Sequence, residues 1–236
     1  MKEIKFNKYQ ARGPGYHWKQ VSHSIIQKNL FTVARYKIIT DIISNEVGHE
    51  NVLDVGCGDG VLTYQLGKTG ATITGIDNNK EAINYARTRL SSESNIQFFY
   101  GSCYNMPFKK KSFEYIIASE LIEHLSDPSR FLNELNRVWN KGGKIIISTP
   151  LRLTQKPLDT MHHCEYFENE LFELLKTSFK KVKIIKSHPL FWMELQNKNP
   201  RIKYTLNLLN LLFNFNPFLK QIGWRYYAQQ TAIISG

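Results

Sequence analysis

The chain has 236 residues, 42% of them hydrophobic and 22% charged, with a formal net charge of +11. That length suits one α/β domain with additions, and the mixture is that of a soluble globular protein rather than a disordered, fibrous or membrane-spanning chain. The positive excess favours anionic partners such as RNA, anionic lipid or a phosphorylated metabolite, and bears on encounter rather than on fold.

Met1 to Lys19 carries charges throughout and has no apolar core, so no secretion signal is read there. The three cysteines, Cys57, Cys103 and Cys164, show no Cys-x-x-Cys spacing, and a reducing, cytoplasmic setting is expected. Residues 1 to about 20 lack periodicity and contain the turn signal Gly13-Pro14-Gly15. From Val21 to about Val47 the apolar positions Ile25, Ile26, Leu30, Val33, Ile38, Ile39, Ile42 and Ile43 recur near helical spacing. Residues 1–46 thus read as an N-terminal helical arm able to close over a ligand, with Tyr16, His17, Trp18 and Arg35 as candidate lid residues.

Asn51 to Leu62, NVLDVGCGDGVL, reads as a buried strand, a Gly-x-Gly-x-Gly turn and a helix start. That device brings backbone N–H groups close to a ligand, and Gly56, Gly58 and Gly60 leave no Cβ in the way. Val61–Lys68 continues as a helix, and Ala71–Ile76 is a second strand ending at Asp77. A carboxylate there, about 20 residues past the turn, is placed to accept from two vicinal ribose hydroxyls. It could instead cap the helix beginning near Lys80, as could Asn78 or Asn79. Lys80–Leu90 is an amphipathic helix, Ile96–Tyr100 a third strand and Phe113–Ala118 a fourth. The run Lys109–Lys111 reads as a solvated loop.

Pro128 opens the next helix, the Asn140–Gly143 turn ends it, and Lys144–Thr149 is strand five. Leu171–Leu175 with Phe179 suggest a helix, Val182–Lys186 a sixth strand, and Arg225–Ile234 a last one. Between these last two lies an insertion, about 187–223, with a leucine-rich run in which Asn207, Asn210 and Asn214 form a narrow polar stripe. It is too short and interrupted to span a bilayer. It reads as a cap on the core, an acceptor-site lid, a homodimer surface, or an interfacial membrane helix flanked by Lys203, Lys220 and Arg225.

The compressed glycine spacing after Asp54, the acidic end of strand two, Pro107-Phe108, Glu123-His124-Leu125 and Lys141-Gly142-Gly143 occur in an order that resembles the class I S-adenosylmethionine (SAM) methyltransferases. The resemblance covers about residues 47–186. It implies a doubly wound, Rossmann-like sheet of seven mostly parallel strands, completed by a strand at about 225–234, with SAM across the strand tips. It further implies that Gly56 and Gly58 hold the methionine end, that Asp54 orders the loop and that Asp77 takes the ribose. Asn78, Ser102 and Cys103 would flank adenine, and Cys57, Gly60 and Ser119 complete the cofactor set. Ser102 stands where the family usually has an acidic residue.

Glu120, Glu123 and His124 follow strand four, and His162 and His163 follow strand five, at the carboxyl edge where open α/β sheets bind ligands. Carboxylates and imidazoles converging there suit Mg²⁺ or Mn²⁺, or a metal-free base at His124 or His163; Glu123 and His124 could also simply order the cofactor loop. Glu-x-x-Glu-His with a later histidine resembles the metal-dependent 2′-O-methyltransferases of small-RNA ends, and that resemblance implies His163 as fourth ligand beside Glu120, Glu123 and His124. The same stretch resembles the ubiquinone-biosynthesis type of O-methyltransferase. Three functions are expected in turn: O-methylation of a small molecule, sugar or lipid-linked metabolite, RNA 2′-O-methylation, and SAM binding without turnover.

Overall fold

The computed structural model describes residues 8–44, 46–155, 157, 159–219 and 226–236. Seven strands, β1 (Asn51–Val55), β2 (Thr72–Asp77), β3 (Ile96–Tyr100), β4 (Tyr115–Ser119), β5 (Lys144–Pro150), β6 (Lys181–Pro189) and β7 (Tyr227–Ser235), form one sheet in the order β3-β2-β1-β4-β5-β7-β6. β1 to β5 pair in parallel, and β7 lies antiparallel between β5 and β6. Around them run α1 (Lys8–Arg12), α2 (Tyr16–Gln20), α3 (Leu30–Ser44), α4 (Val61–Gly67), α5 (Lys80–Arg89), α6 (Pro128–Val138), α7 (Glu168–Lys176), α8 (Leu190–Lys198) and α9 (Pro200–Phe213).

The central strands are mostly apolar because both faces are covered, Asp54 in β1 being a buried exception. Leu53, Val55, Ile116, Ala118, Ile145 and Ile147 turn to one face, where α6 and α7 bring Phe131, Leu132, Leu135, Leu171 and Leu175. Their neighbours Val52, Ile117 and Ile146 turn to the other, against Tyr36, Ile39 and Ile43 of α3 and Val61, Leu62 and Leu66 of α4. This is the period of two expected of a strand. Phe131 is fully buried at the centre of the first layer, and cutting it to alanine would cost about 3–5 kcal/mol. The strand order reverses between β1 and β4, which opens a crevice at their carboxyl ends.

Local chemistry moves several boundaries. The long helix expected from Val21 begins only at Leu30: Ser22 and Ser24 bond to nearby backbone, and Asn29 accepts the Phe31 N–H at 3.0 Å. These local bonds compete with helix upstream and start it downstream, so Ile25 and Ile26 lie in a loop. The insertion is two helices, broken at Asn199-Pro200, where Asn199 accepts from Arg201 N at 3.0 Å. Its asparagine stripe faces inward: Asn207 and Asn210 are buried, and Asn214, at φ 53°, ends α9. The expected starts of the arm (Met1–Asn7) and of the last strand (Arg225), and the flanking Lys220, fall outside the described residues.

Candidate active site

β1 runs into a turn in which Gly56, Gly58 and Gly60 have φ of 75°, 53° and 80°, values that glycine takes at little cost. A Cβ on Gly58 would strike the Tyr9 hydroxyl. The turn is pinned to β2, since Gly56 N–H and Cys57 N–H donate to the Ile76 carbonyl at 2.8 and 3.2 Å. Beneath it Asp54 is buried and accepts from the Thr63 hydroxyl at 2.7 Å. Burial, with the Asp77 charge adding to it, pushes the Asp54 carboxyl up to about 7 against the pull of that hydrogen bond.

Asp77 ends β2 with both oxygens on backbone N–H groups, Asn79 at 2.7 Å and Gly58 at 2.9 Å. Burial outweighs these bonds and holds its carboxyl above the usual range. Each oxygen keeps a lone pair for a further donor. The cap of α5 is Asn79, which accepts from Ala82 N at 3.0 Å. Helix capping therefore falls to Asn79, and the Asp77 carboxylate lines a cavity of about 650 Å³, a size suited to a nucleotide-sized ligand. Asp54, Gly56, Cys57, Gly58, Asn78, Ser102, Cys103 and Ser119 line it too. Gly60, expected in the same set, does not: it caps α4 from behind, where a Cβ would lie 2.9 Å from Phe98 and 3.0 Å from Ala86. A left-handed glycine cradle beside an acidic strand tip, in a cavity of this size, fits SAM.

The N-terminal arm covers the turn through Asp59. Its carboxylate accepts His17 N–H at 2.9 Å and lies 3.2 Å from His17 Nδ1, its backbone carbonyl accepts Trp18 Nε1–H at 2.8 Å, and its N–H donates to the Tyr9 hydroxyl at 3.1 Å. Of the lid candidates, His17 and Arg35 line the cavity. Trp18 packs on Tyr64 with Arg89 over its ring, and the Tyr16 hydroxyl accepts from Gln20.

At the other end of the cavity Glu120 sits at φ 53°, a conformation that costs a non-glycine residue about 1–3 kcal/mol. Arg35 at 3.0 Å, Gln229 at 2.7 Å and the Ser148 carbonyl, which takes the Glu120 N–H at 2.9 Å, hold it there. Glu120 also lines a second cavity, about 440 Å³, walled by Phe31, Pro150, Leu151, Leu153 and Met193. On the partition, Glu123, His124 and His162 bring ligand atoms within 4.8 Å of one another. Glu123 is fully buried, with one oxygen on the Thr149 hydroxyl at 2.9 Å and Oε1 without a partner among the described residues. Burial, reinforced by the Glu120 charge, pushes its carboxyl well above the usual range. His124 Nδ1 lies 3.1 Å from the Met161 carbonyl, which can only accept. Nδ1 therefore carries the proton, and the lone pair of the neutral ring is on Nε2. His162 Nδ1 is 2.7 Å from Glu165, a carboxylate–imidazole pairing that commonly backs a metal-bound histidine.

That trio differs from the expected set. Glu120 is engaged by Arg35 and Gln229 and stands outside it, and His162 takes the place expected of His163. The two histidines are consecutive and face different cavities, His163 the first and His162 the second. Tyr9, Asp59, Phe31, Thr149 and Gln229 were not singled out from sequence. Asp59 within the glycine motif and the polar pair Gln229-Gln230 inside an apolar strand were the available signals.

Strand order, glycine turn and acidic tip together define the class I SAM-dependent methyltransferase fold. The chain belongs to the methyltransferase domain family, whose sequence pattern matches residues 46–205. It is 33% identical over 147 residues to a ubiquinone biosynthesis O-methyltransferase of Coxiella burnetii, covering 61% of each chain. It is 27% identical over 149 residues to a probable SAM-dependent methyltransferase of Mycolicibacterium smegmatis, covering 61% of this chain and 57% of that one. The matches thus span about three-fifths of these relatives' length. In fold it is similar to phosphoethanolamine N-methyltransferase 2 of Haemonchus contortus in complex with SAM, with a TM-score of 0.71 at 15% identity over 100% of this chain and 60% of that one. A Pyrococcus horikoshii protein aligns at a TM-score of 0.63 and 17% identity over 98% and 99% of the two chains.

Proposed function

We propose that the protein transfers the methyl group of SAM to a hydroxyl of a small molecule whose apolar part occupies the second cavity. The observation that carries this reading is the pair of cavities meeting at Glu120, one with a nucleotide cradle and the other with apolar walls. The similarity to O-methyltransferases supports oxygen as the acceptor atom.

When bound, SAM supplies a methyl carbon already activated by a sulfonium. The chain's work is then positioning, which can be worth several kcal/mol or more, together with removal of one proton. The left-handed backbone of Gly56 and Gly58, with no Cβ in the way, and the Asp77 carboxylate would hold the donor end. His124 Nε2, unprotonated in this tautomer, would accept the proton that the acceptor hydroxyl gives up. Arg35 and Gln229 fix Glu120 at the junction, where its carboxylate orients the acceptor hydroxyl.

Calorimetric titration with SAM and its demethylated product tests the donor half. Wild type binds both, and Asp77→Ala loses them by about 100-fold or more, as expected for removing hydrogen bonds to a charged acceptor. A wild type that binds neither refutes the assignment. Radiolabelled methyl transfer to a panel of phenols, sugars and fatty alcohols then reads the acceptor, and transfer to amines alone would refute oxygen.

The clustering of Glu123, His124 and His162 favours a second reading, in which these three hold a divalent ion against the acceptor. The orphaned buried oxygen of Glu123 and the carboxylate behind His162 fit such a role. The ion would supply Lewis-acid polarisation of the acceptor hydroxyl. Mn²⁺ binding is then expected in wild type and His163→Ala and lost in His162→Ala. Equal loss in both histidine variants would refute that ligand set.

A further inference from the structure

We propose that the outer face of α9, with the neighbouring loop 22–28, docks on an anionic lipid bilayer. α9 turns its amide side chains inward: Asn207 donates to the carbonyls of Ile25 and Lys28 at 2.7 and 3.0 Å, and Asn210 is buried. Past the helix, Asn216 donates to the Leu30 carbonyl at 3.0 Å. Tyr204, Leu208, Leu211 and Leu212, spaced i, i+4, i+7 and i+8, are left on the solvent side. Leu212 is 61% exposed and Phe213, at the end of the stripe, 72%. Ile26, 70% exposed, is held beside them, because its own carbonyl accepts from Lys203 at 3.4 Å and that of Ile25 from Asn207. Single exposed apolar residues are ordinary, but a continuous stripe along a helix marks an interaction surface.

Charge decides the occupant. Across α8, α9 and loop 22–28 the acidic residues number one, Glu194, against the basic Lys198, Arg201 and Lys203 outside the buried Lys28, in a chain of net charge +11. A second copy meeting this face about a twofold axis would set those cations against their own images. An anionic bilayer satisfies both halves, with leucines in the acyl boundary and cations among the headgroups. No helix among the described residues is long and apolar enough to cross a membrane, so α9 would lie in the plane of the interface. Met193 of α8 walls the second cavity, so the insertion that meets the lipid also bounds the acceptor site. That last link alone rests on the proposed function.

Co-sedimentation with phosphatidylcholine vesicles, with and without phosphatidylglycerol, tests the proposal. Wild type is expected to pellet with the anionic vesicles and to be released by salt. Leu212→Glu with Phe213→Glu should weaken partition about 100-fold, the size expected for withdrawing two large apolar side chains and adding two like charges. Lys198→Ala with Arg201→Ala should remove the preference for anionic lipid while leaving the apolar stripe intact. Absence of wild-type binding, or binding unchanged in both variants, overturns the proposal. A wild-type dimer that the Leu212/Phe213 variant splits, with no vesicle binding, overturns it in favour of a second copy. SAM calorimetry on the same samples shows whether each variant is folded, and a protein that binds SAM but no vesicles fails this proposal alone.

Discussion

His188 lies fully buried at the end of β6, with its ring between Phe31 and Phe218, centroids 4.1 and 5.7 Å away. Its Nε2–H donates to the Phe31 carbonyl at 2.9 Å and its Nδ1 accepts from the Ser187 hydroxyl at 2.7 Å, so the neutral ring is satisfied at both nitrogens. Burial lowers its pKa to about 3 from an ordinary 6.5; the Arg35 charge adds to this and the Phe31 hydrogen bond opposes it. Between those two values the unfolded chain binds more protons than the folded one. Stability is therefore full above about pH 6.5 and falls as pH drops toward about 3. At about 1.4 kcal/mol per pH unit the loss is about 2 kcal/mol at pH ~5, and about 4 kcal/mol at pH ~3. Phe31 also walls the second cavity, so the contact that acidification weakens borders it. Urea denaturation of wild type and His188→Asn at pH ~7 and ~5 measures it. Asparagine accepts the φ of 62° at this position and does not titrate. Wild type should lose about 2 kcal/mol more than the variant between the two pH values. Parallel profiles would refute the argument from burial.

Gly58→Ala forces a side chain onto φ 53° and into the Tyr9 hydroxyl, a cost of about 1–2 kcal/mol or more. SAM affinity by calorimetry should fall at least about tenfold, and an unchanged affinity would show the turn to be pliable. Asp59→Ala removes the carboxylate that holds His17, worth about 1.5–3 kcal/mol for hydrogen bonds to a charged group. Limited proteolysis should then cut after Arg12 at least about tenfold faster than in wild type, and equal rates would exclude Asp59 as the anchor. Asp54 has the opposite sign to His188: its folded pKa, about 7, lies above the ordinary 3.8. Its stabilising share is full below about pH 4 and lost as pH rises through about 7. Asp54→Asn should therefore gain on wild type by up to about 4 kcal/mol at pH ~8 and by little at pH ~4 in urea unfolding; a gain independent of pH would contradict it.

The local order of this chain was legible because each strand and helix start carries its own chemistry. The largely apolar β1 and β4, the three glycines of the turn and Pro128 at the head of α6 speak through backbone preference and burial on two faces, both written within a few residues. Their sequence along the chain was enough for the sheet and for Asp77 at its rim. Tertiary contact decided the rest. His162 and His163 are neighbours in sequence with the same chemistry, and only the path of the loop after β5 assigns them to different cavities. Glu120 is a carboxylate like Glu123 until Arg35, 85 positions earlier, and Gln229, 109 positions later, close on it. The asparagine stripe of α9 looks solvent-facing on a helical wheel. It turns inward because the loop carbonyls of Ile25 and Lys28 need the donors that Asn207 supplies, and a buried unmet carbonyl costs more than an exposed leucine.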